Sequence, residues 1–160
     1  MSQLTTRRLW LLIAAIVVVD QHTKHWALNR LSGGRTIDIV GSLRFNLAFN
    51  KGMAFSQATG AGPVIGALAF VIIIVIVLWM RRSATGVAAV AAGLIVGGAL
   101  GNLVDRLFRN DAWLRGAVVD FIDLQWFPVF NIADSCITIG AVLMALASLR
   151  NKPAAPSVGQ

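Results

Sequence analysis

An aspartate lies inside a segment that is otherwise apolar and long enough to cross a membrane. The segment runs from Phe127 to Leu149, and Asp134 is its only charged residue. Because an ionised carboxylate in hydrocarbon is strongly disfavoured, such a residue indicates chemistry or transport. A second acid, Asp120, precedes the segment in the stretch VVDFID, where the chain could fold back and bring the two carboxylates together. Two acids that share a site favour aspartyl catalysis.

The composition indicates an integral membrane protein. Of the 160 residues, 57% are hydrophobic and 13% are charged, and the mean hydropathy is +0.74, which is wrong for a soluble globule. The hydropathy pattern predicts a single domain, 1–150, with four membrane-spanning helices at about residues 9–28, 62–80, 86–107 and 127–149. Residues 151–160 are predicted to form a disordered cytoplasmic tail.

The basic residues predict the orientation of the chain in the membrane. The net charge is +7, but the basic residues are spread over loops and helix ends, which favours contact with anionic lipid and not with nucleic acid. Short segments without acids carry Arg7, Arg8, Arg81, Arg82, Arg150 and Lys152. We therefore expect both termini in the cytoplasm. A cleavable signal peptide would also begin with basic residues, but no small-x-small cleavage site follows them.

The tryptophans predict how deep the polar groups lie, because tryptophan rings favour the membrane interface. At the helical rise per residue, Asp20 lies about 9 Å inside Trp26, and Asp134 lies about 12 Å inside Trp126. The third span has its polar residues at the same outer end: Asn102, Asp105 and Arg106. A site that opens outward therefore fits better than a channel, which needs polar groups through the whole membrane.

The predicted fourth helix has one polar face. Asn131, Asp134, Ser135 and Thr138 follow the spacing i, i+3, i+4 and i+7. Pro128 predicts a helix start that would place Asp134 about two turns into the helix. Such a stripe could simply hold helices together, but an aspartate without a basic residue in its own span favours a functional role.

The third span combines small residues with candidate ion pairs. Glycines recur at every fourth position, at Gly93, Gly97 and Gly101, and predict close helix packing. Asn102 follows them and could orient a reacting carboxylate. Two pairs at i, i+4 are predicted to be structural: Asp20 with Lys24, and Asp105 with Arg109. An alternative to the second is a structural pair of Arg106 with an acid elsewhere in the chain.

The two outer loops carry different patterns. Alternating apolar residues between Leu43 and Phe49 predict short strands, and the stretch from Asn50 to Gly52 predicts a turn. The second loop, around residues 113–126, is interpreted as a surface-lying segment that leads Asp120 back to the bilayer.

Other catalytic classes have little support. His22 and His25 lack a metal-binding frame, so no metal is expected. The single Cys136 excludes a disulfide within the chain and points away from the polar stripe. Serine and cysteine nucleophiles lack a neighbouring histidine.

Five sequence blocks resemble the bacterial lipoprotein signal peptidases, also called signal peptidase II. In chain order they are DQHTK at 20–24, NKGMAFS at 50–56, GGALGNLVDR at 97–106, VVDF at 118–121 and FNIADS at 130–135. The resemblance covers nearly the whole chain apart from the tail. It implies an all-α integral membrane fold, with four transmembrane helices and a small extracytoplasmic β-cradle. One departure is Met53, where the family commonly has a small residue.

The resemblance also implies an activity and a set of site residues. The family removes signal peptides from diacylglyceryl-modified prolipoproteins by cutting before the lipidated cysteine, and Asp120 and Asp134 match its catalytic dyad. Matching positions that shape or support the site are Asp20, Lys24, Asn50, Gly52, Asn102, Arg106, Asn131 and Ala133. No cofactor is implied. The expected protein is a monomer in the bacterial inner membrane, surrounded by lipid, with its site toward the extracytoplasmic leaflet.

Two other function classes would use some of the same residues. A small proton-coupled transporter would use Asp20, Lys24 and Asp134 as relay groups, but it predicts polar residues in the inner leaflet and an internal repeat, and the sequence has neither. A noncatalytic scaffold would use the glycines and the polar stripe for packing alone.

Overall fold

The computed structural model describes residues 3–52, 62–83, 86–109 and 114–150. Within them lie four helices: α1 Gln3–Leu31, α2 Gly62–Ser83, α3 Gly86–Phe108 and α4 Ile132–Arg150. Three strands lie between the helices: β1 Thr36–Val40, β2 Leu43–Asn50 and β3 Val118–Asp123. Helix α3 packs against each of the other three helices and is therefore the centre of the fold.

Three helices are long and apolar enough to cross a membrane. They cover Pro63–Arg82, Gly86–Phe108 and Ile132–Leu149. Helix α1 has 29 residues but is less apolar, because it contains Asp20 and Lys24 as well as arginines near both ends. The structure thus supports three of the four predicted spans, and the membrane crossing of α1 stays a prediction.

Small residues let α3 approach its neighbours closely. The predicted row of glycines, Gly93, Gly97 and Gly101, faces α1. An added Cβ at Gly97 would lie 2.9 Å from Ile16 Cδ1. Gly98 faces α4 instead, and a Cβ added there would collide with the carbonyl oxygen of Ala133. The contact at Gly98 requires glycine because the backbone of the facing helix cannot move aside as a flexible side chain can.

Replacing Gly98 by Ala is expected to push α4 away from α3. The overpacking should cost about 1–3 kcal/mol of stability, which would lower the midpoint of thermal unfolding in detergent. Gly93→Ala is the matched control, since its nearest neighbour is the flexible end of Leu12 at 3.3 Å. Equal unfolding midpoints for the two variants would contradict this account of the interface.

The three strands form one antiparallel sheet in the order β1-β2-β3. The strands predicted from Leu43 to Phe49 are present as β2. The predicted surface-lying segment is wrong where the structure describes it, because Val118–Asp123 is a mostly buried strand. The reason is that VVDFID has apolar residues on both sides of its acids, so it can be buried as the edge strand that pairs with β2 and contacts α1 and α3. Residues 110–113 lie outside the described residues.

An aromatic cluster joins the sheet to the end of α1. Trp26 packs edge-on against Phe45 at 5.2 Å and against Phe121 at 6.2 Å between ring centroids. Buried Ala27 and Leu31 lie beneath these rings. The cluster holds β3 at a fixed place relative to the helices, and it therefore fixes Asp120.

Helix α4 begins five residues later than predicted. Its first residue is Ile132, so Asp134 lies in the first turn and not two turns into the helix. Pro128 fits a helix start, but the residue before α4, Asn131, provides a side-chain cap that Pro128 lacks. The chain from Pro128 to Phe130 instead runs along the sheet, where Phe130 forms a bridge with Ile122.

The turn before that stretch is fixed by Asp123. Its carboxylate accepts hydrogen bonds from Arg44 Nε at 2.8 Å, from the backbone N–H of Gln125 at 2.7 Å and from Asn46 Nδ2 at 3.2 Å. Burial opposes the charge, but these hydrogen bonds hold the pKa of Asp123 below its ordinary value. The ionised Asp123 therefore anchors the chain that leads into the candidate site.

Candidate active site

A reciprocal cap fixes Asp134 at the start of α4. The Oδ1 atom of Asn131 accepts a hydrogen bond from the backbone N–H of Asp134 at 2.9 Å. In return, Asp134 Oδ2 accepts from the backbone N–H of Asn131 at 3.3 Å. This is a capping box in which Asn and Asp take the places of Ser and Glu. It holds the Asp134 carboxylate at the positive end of the helix, which favours a negative charge there.

Asp120 reaches the same Asn131 side chain from β3. Its Oδ1 atom accepts from Asn131 Nδ2 at 2.6 Å, and the residue is only 2% exposed. Burial and then the charge of Asp134 raise the pKa of Asp120 to about 7, although hydrogen bonds from Asn131 and Asn50 oppose the shift. Asp120 therefore keeps its proton into the neutral range, in contrast to an ordinary carboxyl.

Asn102 approaches Asp134 from α3. Its Nδ2 atom donates to Asp134 Oδ1 at 2.7 Å, while its Oδ1 atom accepts from Lys24 Nζ at 2.9 Å. Because an ammonium group only donates, the amide oxygen must face Lys24 and the amide nitrogen must face Asp134. Both carboxylate oxygens of Asp134 thus meet N–H donors, an arrangement that suits an ionised acid.

Lys24 is the centre of a buried charge network. Its side chain is fully buried, and Nζ lies 2.8 Å from Asp20 Oδ2 and 2.9 Å from Asp105 Oδ2. Asp105 Oδ2 also accepts from the backbone N–H of Val119 at 3.1 Å. The network therefore connects α1 and α3 to the strand residue next to Asp120. The predicted Asp20 and Lys24 pair is confirmed.

The predicted pair between Asp105 and Arg109 is confirmed too, with Arg109 Nε 2.6 Å from Asp105 Oδ1. Gln21 was not predicted, yet its Nε2 atom donates to the backbone oxygen of Gly101 at 3.0 Å and to Asp105 Oδ1 at 3.1 Å. Its position three residues before Lys24, on the same helical face, was the available signal. His22 and His25 are exposed.

Ala133 occupies a place that only a small residue fits. It is fully buried, and its backbone N–H donates to Asp20 Oδ1 at 2.9 Å. A Cβ at Gly101 would lie 3.3 Å from Ala133 Cβ and 2.7 Å from Asp20 Oδ2. The small residues thus let the Asp20 carboxylate reach the first turn of α4.

Gly52 orients Asn50 at the end of β2. With φ at 108°, its backbone N–H donates to Asn50 Oδ1 at 3.0 Å, a conformation that glycine adopts without strain. Since that oxygen is occupied, the NH₂ group of Asn50 is the part available for its hydrogen bond with Asp120. Met53, the departure from the family pattern, lies outside the described residues.

Two cavities meet at Asp134. The larger, of about 780 Å³, is lined by Asp120, Asp134, Ser135 and Thr138 and by an aromatic wall of Phe49, Trp126, Phe127 and Phe130. The smaller, of about 300 Å³, lies between α2, α3 and α4, and it contains Arg106, Asn102, Asn50 and Asp134 among apolar side chains. Asn50 and Asp134 line both cavities. A bound chain could therefore pass from one cavity to the other across Asp134.

Comparison with known proteins identifies the family. The family model described as "Signal peptidase (SPase) II" matches residues 12–150. The chain belongs to the signal peptidase II family. It is 42% identical to a lipoprotein signal peptidase of Mycobacterium leprae (strain Br4923) over 153 residues, covering 92% of this chain and 76% of the relative.

Further relatives agree with this membership. A lipoprotein signal peptidase of Mycobacterium tuberculosis (strain ATCC 25618 / H37Rv) is 43% identical over 148 residues, covering 89% of this chain and 73% of the relative. A solved structure of a bacterial membrane enzyme superposes with a TM-score of 0.78 at 31% identity, covering 91% of this chain and 94% of that one. A signal peptidase II is an aspartic-type peptidase that removes signal peptides from prolipoproteins, and this is the activity of the chain.

Proposed function

We propose that Asp120 and Asp134 are the catalytic dyad, and that the enzyme cuts diacylglyceryl-modified prolipoproteins immediately before the lipidated cysteine. The observation that carries the proposal is the shared Asn131 side chain, which contacts both acids while both line one cavity. Asp20, Lys24, Asn50, Gly52, Asn102, Arg106, Asn131 and Ala133 shape or support this site.

The two acids take different roles in hydrolysis. Asp134, held as a carboxylate at the helix start, accepts a proton from water as the water oxygen bonds to the scissile carbonyl carbon. Asp120 gives its proton to the carbonyl oxygen, which neutralises the developing charge. When the C–N bond breaks, Asp134 gives its proton to the leaving amine and Asp120 takes its own proton back from the hydroxyl. The cycle therefore ends with both acids in their starting states.

We propose that the chain crosses the membrane four times, with both termini on the cytoplasmic side. Helix α1 is the fourth span, because its buried Lys24 is fully paired within the protein and its lipid-facing residues include exposed Leu11, Val18 and Val19. The arginine pairs at the start of α1 and the end of α2 support an orientation with both termini in the cytoplasm of a bacterial inner membrane. The dyad then lies toward the extracytoplasmic leaflet. One chain supplies every site residue, which supports a monomer surrounded by membrane lipids.

Activity should depend on the proton of Asp120. Because the pKa of this acid is raised to about 7, it carries its proton below that pH and loses it above. We therefore expect kcat/KM to fall as pH rises through about 7, since this ratio reports the ionisation of the free enzyme. Asp38→Asn, which alters an exposed acid on β1, should leave the profile unchanged. A rate that stays flat through this range would contradict the assigned role.

The substrate class is tested with two precursors that differ only in the lipid. Purified enzyme in detergent is given the same precursor with and without the diacylglyceryl group on its cysteine, and cleavage is followed by mass spectrometry. We expect cleavage of the lipidated form, at the bond before the modified cysteine. Equal cleavage of the unlipidated precursor would contradict the proposed specificity.

A further inference from the structure

Helices α1 and α2 leave a groove between them at the end of the bundle opposite the acids. Among the described residues, both helices pack against α3 but make little contact with each other. The groove has a volume of about 250 Å³, and its walls are formed by Thr6, Leu9, Trp10, Val77, Met80 and Arg81. Trp26 packs beside β3, the strand that carries Asp120. Along α1, Trp10 lies about 24 Å from Trp26, so the groove is remote from the dyad.

The groove has an apolar floor and a polar rim. Leu9 and Met80 are buried at its base, where they belong to the hydrophobic core. Trp10 and Arg81 are exposed and form the rim. An indole N–H donates one hydrogen bond, and a guanidinium donates several to an anionic oxygen. A ligand that fits must therefore combine an aliphatic chain with an anionic headgroup.

The apolar surface continues from the groove along α2. Phe70 and Ile74 lie seven and three residues before Val77, on the same face of the helix, and both are exposed. An acyl chain whose first carbons fill the groove can therefore run on along α2 toward the middle of the membrane. A free phosphate ion would contact the rim alone and leave the apolar floor uncovered. These walls thus fit a phospholipid better than inorganic phosphate.

Charge at this end of the bundle favours a negative headgroup. Four exposed arginines lie here: Arg7, Arg8, Arg81 and Arg82. Neither α1 before Asp20 nor α2 contains an acidic residue, and the ion pairs among the described residues all lie elsewhere. Basic side chains near a membrane surface attract anionic lipid, whereas a zwitterionic headgroup would bring a further cation among them. The same charge disfavours the start of a signal peptide as the occupant, because that region is itself basic.

We propose that the groove between α1 and α2 binds one anionic phospholipid of the membrane, with its phosphate on Arg81 and the first carbons of one acyl chain over Leu9 and Met80. The lipid fills the space that α1 and α2 leave between them, and it thereby joins α1 to α2 at this end of the bundle. It is not a substrate and does not depend on the proposed function, because it lies far from the acids. We therefore expect it to stabilise the fold without entering the reaction.

The headgroup contact is tested with two neighbouring arginines. The purified chain in detergent is titrated with phosphatidylglycerol or phosphatidylcholine, and bound lipid is counted by native mass spectrometry. We expect one phosphatidylglycerol to bind in preference to phosphatidylcholine, and Arg81→Gln to weaken its Kd by on the order of tenfold, equivalent to one lost hydrogen bond to a charged group. Arg82→Gln is the matched control, since Arg82 is exposed on the same helix but does not line the groove. Equal weakening in both variants, or equal binding of the two lipids, would overturn the proposal.

The acyl-chain contact is tested by filling the groove. Val77 lines it, so Val77→Phe should abolish both the binding of phosphatidylglycerol and the rise in unfolding midpoint that this lipid causes. Val75→Phe makes the same change at an exposed position of α2 outside the groove and should retain both. Val77→Phe should still cleave a lipidated precursor in detergent at the wild-type rate, so this test is independent of the proposed function.

Other occupants of the groove give different results. Protection of the wild-type chain by inorganic phosphate, to the same extent as by phosphatidylglycerol, would overturn a lipid occupant. A dimer of the wild-type chain that Val77→Phe disrupts and Val75→Phe retains would show that a second copy covers the groove. Unchanged lipid binding by Val77→Phe would place the lipid elsewhere on the surface, and each of these results contradicts the proposed site.

Discussion

Asp134→Asn is expected to reduce cleavage of a lipidated precursor by at least about 10³-fold, in line with the loss of a general acid–base group. The amide keeps the size of the carboxylate but cannot accept a proton from water. The backbone N–H at this position still donates to Asn131 Oδ1, so the first turn of α4 keeps its cap and should remain folded, and the amide oxygen can still accept from Asn102. The measurement is the single-turnover cleavage rate in detergent, together with the midpoint of thermal unfolding.

Asp38→Asn provides the matched control for charge removal. Asp38 lies exposed on β1, so this variant should cleave at the wild-type rate. Near-normal cleavage by Asp134→Asn, with intact folding of both variants, would contradict the catalytic role of Asp134.

Lys24→Met is expected to destabilise the protein by about 3–5 kcal/mol, the usual cost of removing one partner from a buried ion pair. Lys24 is fully buried, and its loss leaves Asp20 and Asp105 facing each other without the cation. Asn102 also loses the donor that orients its amide toward Asp134. We therefore expect a large decrease in the midpoint of thermal unfolding and little folded enzyme.

Arg109→Met is the control for this prediction, because Arg109 pairs with the same acid. The side chain of Arg109 is 25% exposed, and Asp105 keeps its bond to Lys24 when Arg109 is lost. Because Arg109 is partly exposed and Asp105 keeps Lys24 as its partner, the loss should be on the order of 1 kcal/mol, and this variant should unfold much closer to the wild-type temperature than Lys24→Met. Equal unfolding temperatures for Lys24→Met and Arg109→Met would show that the buried network does not hold the helices together.

Much of the site could be predicted because its polar residues interrupt apolar segments. The pairs of Asp20 with Lys24 and of Asp105 with Arg109 follow from helical spacing alone, and the structure contains both. The interaction between Lys24 and Asp105 could not be predicted in this way, since it joins two helices through space. Spacing along one helix does not show which face meets which neighbour.

The errors have local physical causes. The start of α4 was assigned from Pro128, whereas the pattern Asn131-x-x-Asp134 contains the capping signal that sets the boundary. The strand from Val118 to Asp123 was missed because its apolar residues do not alternate regularly with polar ones, as happens when both faces of a strand are buried. The position of Asp120 beside Asp134 depends on that strand, so its geometry required the structure.

The central claim is that Asp120 and Asp134 act as one catalytic unit. The most direct test compares the residual cleavage rates of Asp120→Asn, Asp134→Asn and the double variant on one lipidated precursor. If the acids work together, the double variant should be no slower than the slower single variant, because groups that act as a unit are not additive. Losses that multiply in the double variant, or near-normal cleavage by either single variant, would contradict a shared dyad.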